Sequence, residues 1–258
     1  MNSYIAIRAV MKALVVALFF CVSLASSAIR QADFQKNTVV AEKTLGSNAK
    51  AVIAVDTDDV VQEIIVDPES KKGEVTVQAD LGVRVLNSGN LSLATVIPKG
   101  EVATLARRVS LGSGTTVHAI IAWGYSKYPK ILTARCHLYV FTEQRGEVKL
   151  VVEEELGSEL EQFVVTDMNQ DQKPVLLVST SENEEASMDI WQIQNDGEVK
   201  KIQRISGYRV YTLADRFLDK GQGIIVEEKL DAGVAGGTCV QTTEYSWSPK
   251  QRKFVKHI

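Results

Sequence analysis

The chain has 258 residues, 45% hydrophobic and 24% charged, with 29 basic side chains against 32 acidic ones. That balance excludes a disordered or collagen-like chain, and a net charge of -3 gives no basic footprint for nucleic acid. At this length about 70–75% of the unfolded surface can be buried, so a core needs neither a structural metal nor a disulfide.

Residues 1–28 carry Arg8 and Lys12, then the apolar run ALVVALFFCVSLA, then Ser26, Ser27 and Ala28. This is the order of a secretory signal peptide. The run is shorter than the roughly 20 residues a membrane helix needs, and nothing later is apolar enough to span, so no membrane span is expected after cleavage. Cys21 lies inside the run, not after it, which argues against a lipid anchor. The mature domain is expected to be 29–258, secreted or periplasmic, and loss of Arg8 and Lys12 takes its charge from -3 to -5. It keeps Cys136 and Cys239, for which a disulfide and two ordinary thiols both stay open.

Internal similarity organises the rest. Leu45-Gly46-Ser47, Leu111-Gly112-Ser113 and Leu156-Gly157-Ser158, with Ile205-Ser206-Gly207 as a worn fourth copy, are each followed by an apolar run, a polar turn and an apolar run. These begin at Val52, Ala119, Phe163 and Tyr211. Period-two strand signals follow at Val83, Leu138, Ile190 and Tyr245. Arg145-Gly146 and Asp196-Gly197 then read as hairpin turns before a last strand. The units run roughly 48–110, 111–155, 156–204 and 205–258. Apart from a weak helical pattern over 158–163, every segment reads as strand.

The expected fold is therefore all-β: a β-propeller-like array of about four four-stranded antiparallel meanders, with a β-sandwich as the alternative. Residues 37–47 look like a unit's last strand yet precede the first unit. This predicts that the strand near Val39 completes the C-terminal unit and closes the ring.

In the third unit the turn Asp167-Met168-Asn169-Gln170-Asp171 stands between two apolar strands. This resembles the FG-GAP and VCBS-type repeats of integrin-α-like propellers, over roughly residues 37–258. The resemblance implies calcium on Asp167, Asn169 and Asp171. The departures are larger than the match, because Gln172 replaces the usual Gly and no acid follows at Pro174, Val175 or Leu176. The first turn keeps Asp56 and Asp58 but has Val60, the second has Trp123, Tyr125 and Lys127, and the fourth has Phe217 between Asp215 and Asp219. Calcium needs about six oxygens, so the expectation is no bound cofactor and Asp or Asn capping the turn locally.

His118, His137 and His257 form no spaced ligand pair, and no nucleophile elbow, phosphate loop or dinucleotide fingerprint appears. Gly233 to Gly237 read as a loop. The runs Glu153 to Glu155 and Glu182, Glu184, Glu185 read as solvated edges. Trp123, Tyr125 and Tyr128 stand where other units put acids and form a candidate binding rim, with core packing of Trp123 as the alternative. These features point to a secreted, non-catalytic binding or scaffold module for a protein or carbohydrate ligand. A carbohydrate-active hydrolase using paired carboxylates is the alternative.

Overall fold

Side chains on a strand alternate between faces, so a run that is apolar at every position needs cover on both sides. The chain meets this demand with four antiparallel meanders. The computed structural model describes residues 28–29, 35–45, 48–67, 75–84, 96–167, 173–212, 223–230 and 239–256. The N-terminal leader run, the loop at Gly233 to Gly237, Asn169, Asp171 and His257 lie outside them.

Sheet 1 consists of β2 (Thr38–Thr44), β3 (Lys50–Val55), β4 (Val60–Val66) and β5 (Val75–Val83), with the short β1 (Ala28–Ile29) beside β5. Sheet 2 consists of β6 (Val102–Ser110), β7 (Thr115–Tyr125), β8 (Ala134–Gln144) and β9 (Glu147–Glu155). Sheet 3 consists of β10 (Glu159–Thr166), β11 (Val175–Glu182), β12 (Glu185–Ile193) and β13 (Val199–Gly207). Sheet 4 consists of β14 (Arg209–Thr212), β15 (Ile224–Leu230), β16 (Cys239–Ser248) and β17 (Lys253–Lys256). The all-β array of four four-stranded meanders is as the repeats predict. The weak helical pattern over 158–163 is instead the start of β10.

Two expectations are corrected. The strand near Val39 does not reach the C-terminal unit: it is β2, and Val39 pairs with Ala54 of β3. A strand followed by a tight turn pairs with its neighbour at the least loop-closure cost, and among the described residues no sheet takes a strand from the far end of the chain. The units 48–110 and 111–155 are accordingly one strand out of phase, since β6 belongs to sheet 2. Leu45 and Leu111 stand in hairpin turns, where Leu45 N donates to Ala49 O and Leu111 N to Thr115 O. Leu156-Gly157-Ser158 and Ile205-Ser206-Gly207 instead lead from one sheet into the next. The tripeptides thus mark two different places, and the two edge strands of a meander look alike because both are half exposed.

A repeat that sequence does not display is the β-bulge. Val40, Thr104 and Glu161 are each the third residue of their sheet's first strand, and each is skipped in the pairing with the second. Bulges of this kind bend a strand and increase its twist.

One core joins Ile53, Val55 and Val61 of sheet 1, Val117, Ile121, Trp123 and Leu138 of sheet 2, and Phe163, Leu176 and Trp191 of sheet 3. A second lies between sheets 3 and 4, around Leu177, Met188, Ile190, Val210, Ile224 and Phe254. Sheet 3 therefore buries both faces. Two glutamines clamp it to sheet 4 by imitating a missing strand. Gln162 donates from Nε2 to Thr212 O at 3.2 Å and accepts Thr212 N at 2.9 Å. Gln203 does the same for Phe254, at 3.0 and 2.8 Å. Each amide satisfies a backbone pair that an edge strand otherwise leaves open.

The crossings between sheets are equally tight. A Cβ on Gly157 would stand 2.8 Å from Thr180 Cβ and 3.0 Å from Ser181 O, and one on Gly207 would stand 2.5 Å from Val226 Cγ1 and 3.0 Å from Glu227 O. Gly157→Ala and Gly207→Ala should each destabilise the domain by about 1–3 kcal/mol through overpacking. Gly112→Ala, whose methyl meets nothing within 4 Å, should cost less than about 0.5 kcal/mol. Urea midpoints followed by tryptophan fluorescence measure this, and equal midpoints for all three variants would refute the crowding.

Candidate functional site

The aromatic trio is split by its own strand. Trp123 faces inward from β7, paired with Cys136, and is part of the core. The structure thus takes it out of any rim, as the apolar register of β7 requires. Tyr125 is half buried, with Lys43 Nζ 5.9 Å over its ring. Lys43 also donates to the carbonyls of Ser126, Tyr128 and Ile131, tying the loop after β7 to sheet 1. Tyr128 alone is open, at 69% exposure.

The first acidic turn is a local cap. Asp56 Oδ1 accepts from Asp58 N at 2.8 Å and Val60 N at 3.0 Å, which places Asp59 at φ 60. Asp167 is the one member of the calcium set among the described residues, and among those residues no three His, Cys, Asp or Glu gather as a metal-ligand group. Asp56 follows a second strand and Asp167 a first, so the two stand at opposite ends of their meanders. Cys136 and Cys239 are both free. The first is buried in β8, where burial pushes its thiol up to about 12, and the second is exposed in β16.

A groove of about 840 Å³ opens between sheets 3 and 4. It is walled by the start of β10, the hairpin joining β11 to β12, β14 and Glu227 of β15. Five carboxylates line it, from Glu159, Glu161, Glu182, Glu184 and Glu227, with Arg209, Tyr208 and Tyr211. The geometry follows from the backbone. Glu161 is the bulged residue of β10, and Asn183 and Glu184 form a two-residue turn with φ of 51° and 66° that lifts Glu184 to the mouth. Ser181 Oγ lies 3.2 Å from Glu159 Oε2 and 2.8 Å from Glu161 Oε1, so the two carboxyls sit within about 6 Å of each other. Across the groove Tyr211 donates to Glu227 Oε1 at 3.2 Å, and Arg209 is 3.8 Å from Glu227 Oε2.

A separate chamber of about 230 Å³ lies on the other face of sheet 3, against sheet 2, lined by Arg135, Glu155, Thr180, Ser187 and Arg204 among others. Arg135 is buried and donates Nη1 to Glu182 at 2.5 Å and Nη2 to Leu156 O at 2.8 Å. The groove escaped the sequence reading because its walls come from four separated segments. The available signal was the acidic run at 182–185, read only as a solvated edge.

The carboxyls that burial pushes above the usual range lie elsewhere. Glu63 is buried against sheet 2 and accepts Ala134 N at 2.8 Å, while Tyr125 beside it is held protonated by burial and by Glu63. Glu101 accepts from Tyr139 Oη at 2.9 and 2.8 Å and stands 3.6 Å from His137 Nδ1. Burial raises it more than His137 and Tyr139 lower it. Gly124 makes room for it, since a Cβ there would lie 2.6 Å from Glu101 Cγ.

Because the folded state holds the Glu101 proton more tightly than the unfolded state, this group favours folding at low pH. Its contribution is lost as pH rises from the ordinary carboxylate range through the raised value. The stability of the parent minus that of Glu101→Gln should therefore fall as pH rises above the ordinary carboxylate range. Urea unfolding of both proteins across that rise in pH tests it; a difference that is flat or grows with pH sinks the assignment. Comparison with protein-family models and with curated proteins finds no match to this chain.

Proposed function

We propose that this chain is a secreted, non-catalytic binding or scaffold module, and that the groove between sheets 3 and 4 is its ligand surface. One observation carries the reading. A groove of about 840 Å³, lined by five carboxylates and two tyrosines, lies between sheets that two glutamine clamps hold in fixed relation. A pre-formed concave surface with convergent polar groups is the ordinary form of a binding site. The FG-GAP and VCBS-type resemblance is consistent with this role, as a repeat scaffold whose cation turns have decayed. The ligand is a protein or carbohydrate, since a net charge of -3 offers no basic footprint for nucleic acid.

The spacing of Glu159 and Glu161 favours one second reading, a carbohydrate-active hydrolase, since retaining glycosidases hold two carboxyls about 5–5.5 Å apart. Against it, both acids project from one strand on one wall, whereas such a pair must flank the scissile bond. The raised carboxyls Glu63 and Glu101 are not in the groove.

On a panel of chromogenic glycosides the parent should turn over no faster than Glu159→Gln/Glu161→Gln. Turnover lost in the double variant would replace the module reading with the hydrolase. Secretion has its own test: the exported protein should begin at Ile29 on N-terminal sequencing. A product retaining Met1 would remove the signal peptide from the reading.

A further inference from the structure

We propose that Glu101, His137 and Tyr139 form a proton-operated latch: with Glu101 protonated, residues 96–101 are strapped over the outer face of sheet 2, and with Glu101 ionised the strap opens. The latch stands apart from the groove and does not depend on what the groove binds.

The strap leads into β6. Val96 and Ile97 pack on Ala103, Ile120, Ala122, Tyr139 and Phe141, the face of sheet 2 that alternates with the one in the shared core. The end of the strap is shaped around one side chain. Gly100 takes φ 87° and Glu101 N donates to Pro98 O at 3.3 Å. That turn brings the Glu101 carboxyl over Gly124, where a Cβ would lie 2.6 Å from Glu101 Cγ. The Glu101 side chain is only 12% exposed as a result. Among the described residues it makes the strap's one side-chain hydrogen bond to the sheet, accepting from Tyr139 Oη at 2.9 and 2.8 Å.

A buried carboxylate ordinarily has a cation or several donors. Glu101 has one neutral hydroxyl. His137 Nδ1 stands 3.6 Å away, beyond hydrogen-bond length, and His137 Nε2 is buried with no partner. The remaining charged neighbours are Lys127, after β7, and Glu153 of β9; they pair with each other at 3.5 Å and act on Glu101 in opposite directions. Burial outweighs the stabilising neighbours and holds the carboxyl above its ordinary range. Opening the strap returns it to water, where it ionises in that ordinary range. The open form therefore holds the proton less tightly. Opening becomes easier as pH rises from the ordinary range and levels off once the closed form has ionised too. A strap tied by one hydrogen bond opens at lower cost than a whole sheet, so the charge acts on it first.

Trypsin reads the strap at Lys99, which is exposed. Its cleavage rate in the purified protein, divided by that of an unstructured peptide of the same sequence in the same tube, should rise several-fold between about pH 5 and pH 8. One proton limits the rise to about tenfold per pH unit. Glu101→Gln, which keeps an acceptor for Tyr139 and cannot ionise, should remove the pH dependence. Lys127→Gln should enlarge the rise and Glu153→Gln should shrink it, each by about twofold. Both residues are exposed, so these two variants carry the test if Glu101→Gln does not fold. At every pH Lys99 should be cut at least about tenfold faster than Lys200 of β13, which trypsin reaches by unfolding of sheet 3. A parent whose Lys99 cleavage is flat with pH, a Glu101→Gln protein that rises as steeply, or charge variants that respond equally or in reverse overturn the latch. Equal rates at Lys99 and Lys200 would assign the proton to unfolding of the whole domain and overturn it as well.

Discussion

The structure depends on one strand being buried on both sides. Val175, Leu176, Leu177 and Val178 of β11 are each at most 1% exposed, and alternation sends them to different cores. A meander with such a strand cannot stand alone in water, because either exposed face would forfeit about 25 cal/mol for each Å² left uncovered. Sheet 3 thus requires sheet 2 on one side and sheet 4 on the other. The same demand fixes where charge can go. Asp189, 2% exposed, lies on the sheet 2 side and is held by Arg204 through Nε and Nη2 at 2.7 and 2.6 Å, with Lys201 Nζ at 3.0 Å. Glu154 of β9 reaches the same Lys201 from sheet 2. A buried carboxylate with two cations and a second acid beyond them is tolerable only when all partners are present. The network therefore fixes the relation of the two sheets more than it adds to stability.

The groove is what this packing leaves over. Sheets 3 and 4 share apolar side chains in their middle, and Gln162 and Gln203 fasten the first and last strands of sheet 4 at its two edges. At the end where Gly157 and Gly207 let the chain cross, the space is left largely to polar side chains, since the β11–β12 hairpin carries Glu182, Asn183, Glu184 and Glu185. Cations of the protein pair with three of the carboxylates at that end: Arg135 with Glu182, Lys229 with Glu184 and Arg209 with Glu227. On the other wall the bulge of β10 falls at Glu161. In sheets 1 and 2 the same bulge carries Val40 and Thr104. A device that shapes the first strand in three sheets therefore meets solvent and charge in one.

Legibility in the sequence followed burial. The inner strands were plain, because β3, β7 and β11 carry apolar runs and β8 and β12 alternate apolar with polar positions, as the core dictates. The hairpins at Arg145-Gly146 and Asp196-Gly197 were equally plain, since a left-handed turn position selects Gly. The edge strands were not: VATLARRVS of β6 and VKLVVEEE within β9 share the same mixed pattern, although one begins its sheet and the other ends it. A repeat phase drawn from such strands slips by one, and with it went the ring closure assigned to β2.

That slip also hid the site. Aligning Asp56, Trp123 and Asp167 placed them on one rim, whereas successive hairpins of a meander lie at opposite ends. The groove residues carry no pattern of their own: Glu159, Glu182, Arg209 and Glu227 are exposed or half-exposed positions on different strands, where periodicity says only that a side chain faces water. What makes them a site is the approach of two sheets, and that approach is set by Leu177, Met188, Ile224 and Phe254 between them. In a fold of stacked meanders the core residues decide which charges meet, so the chemistry of the groove is written in the packing rather than in the residues that line it.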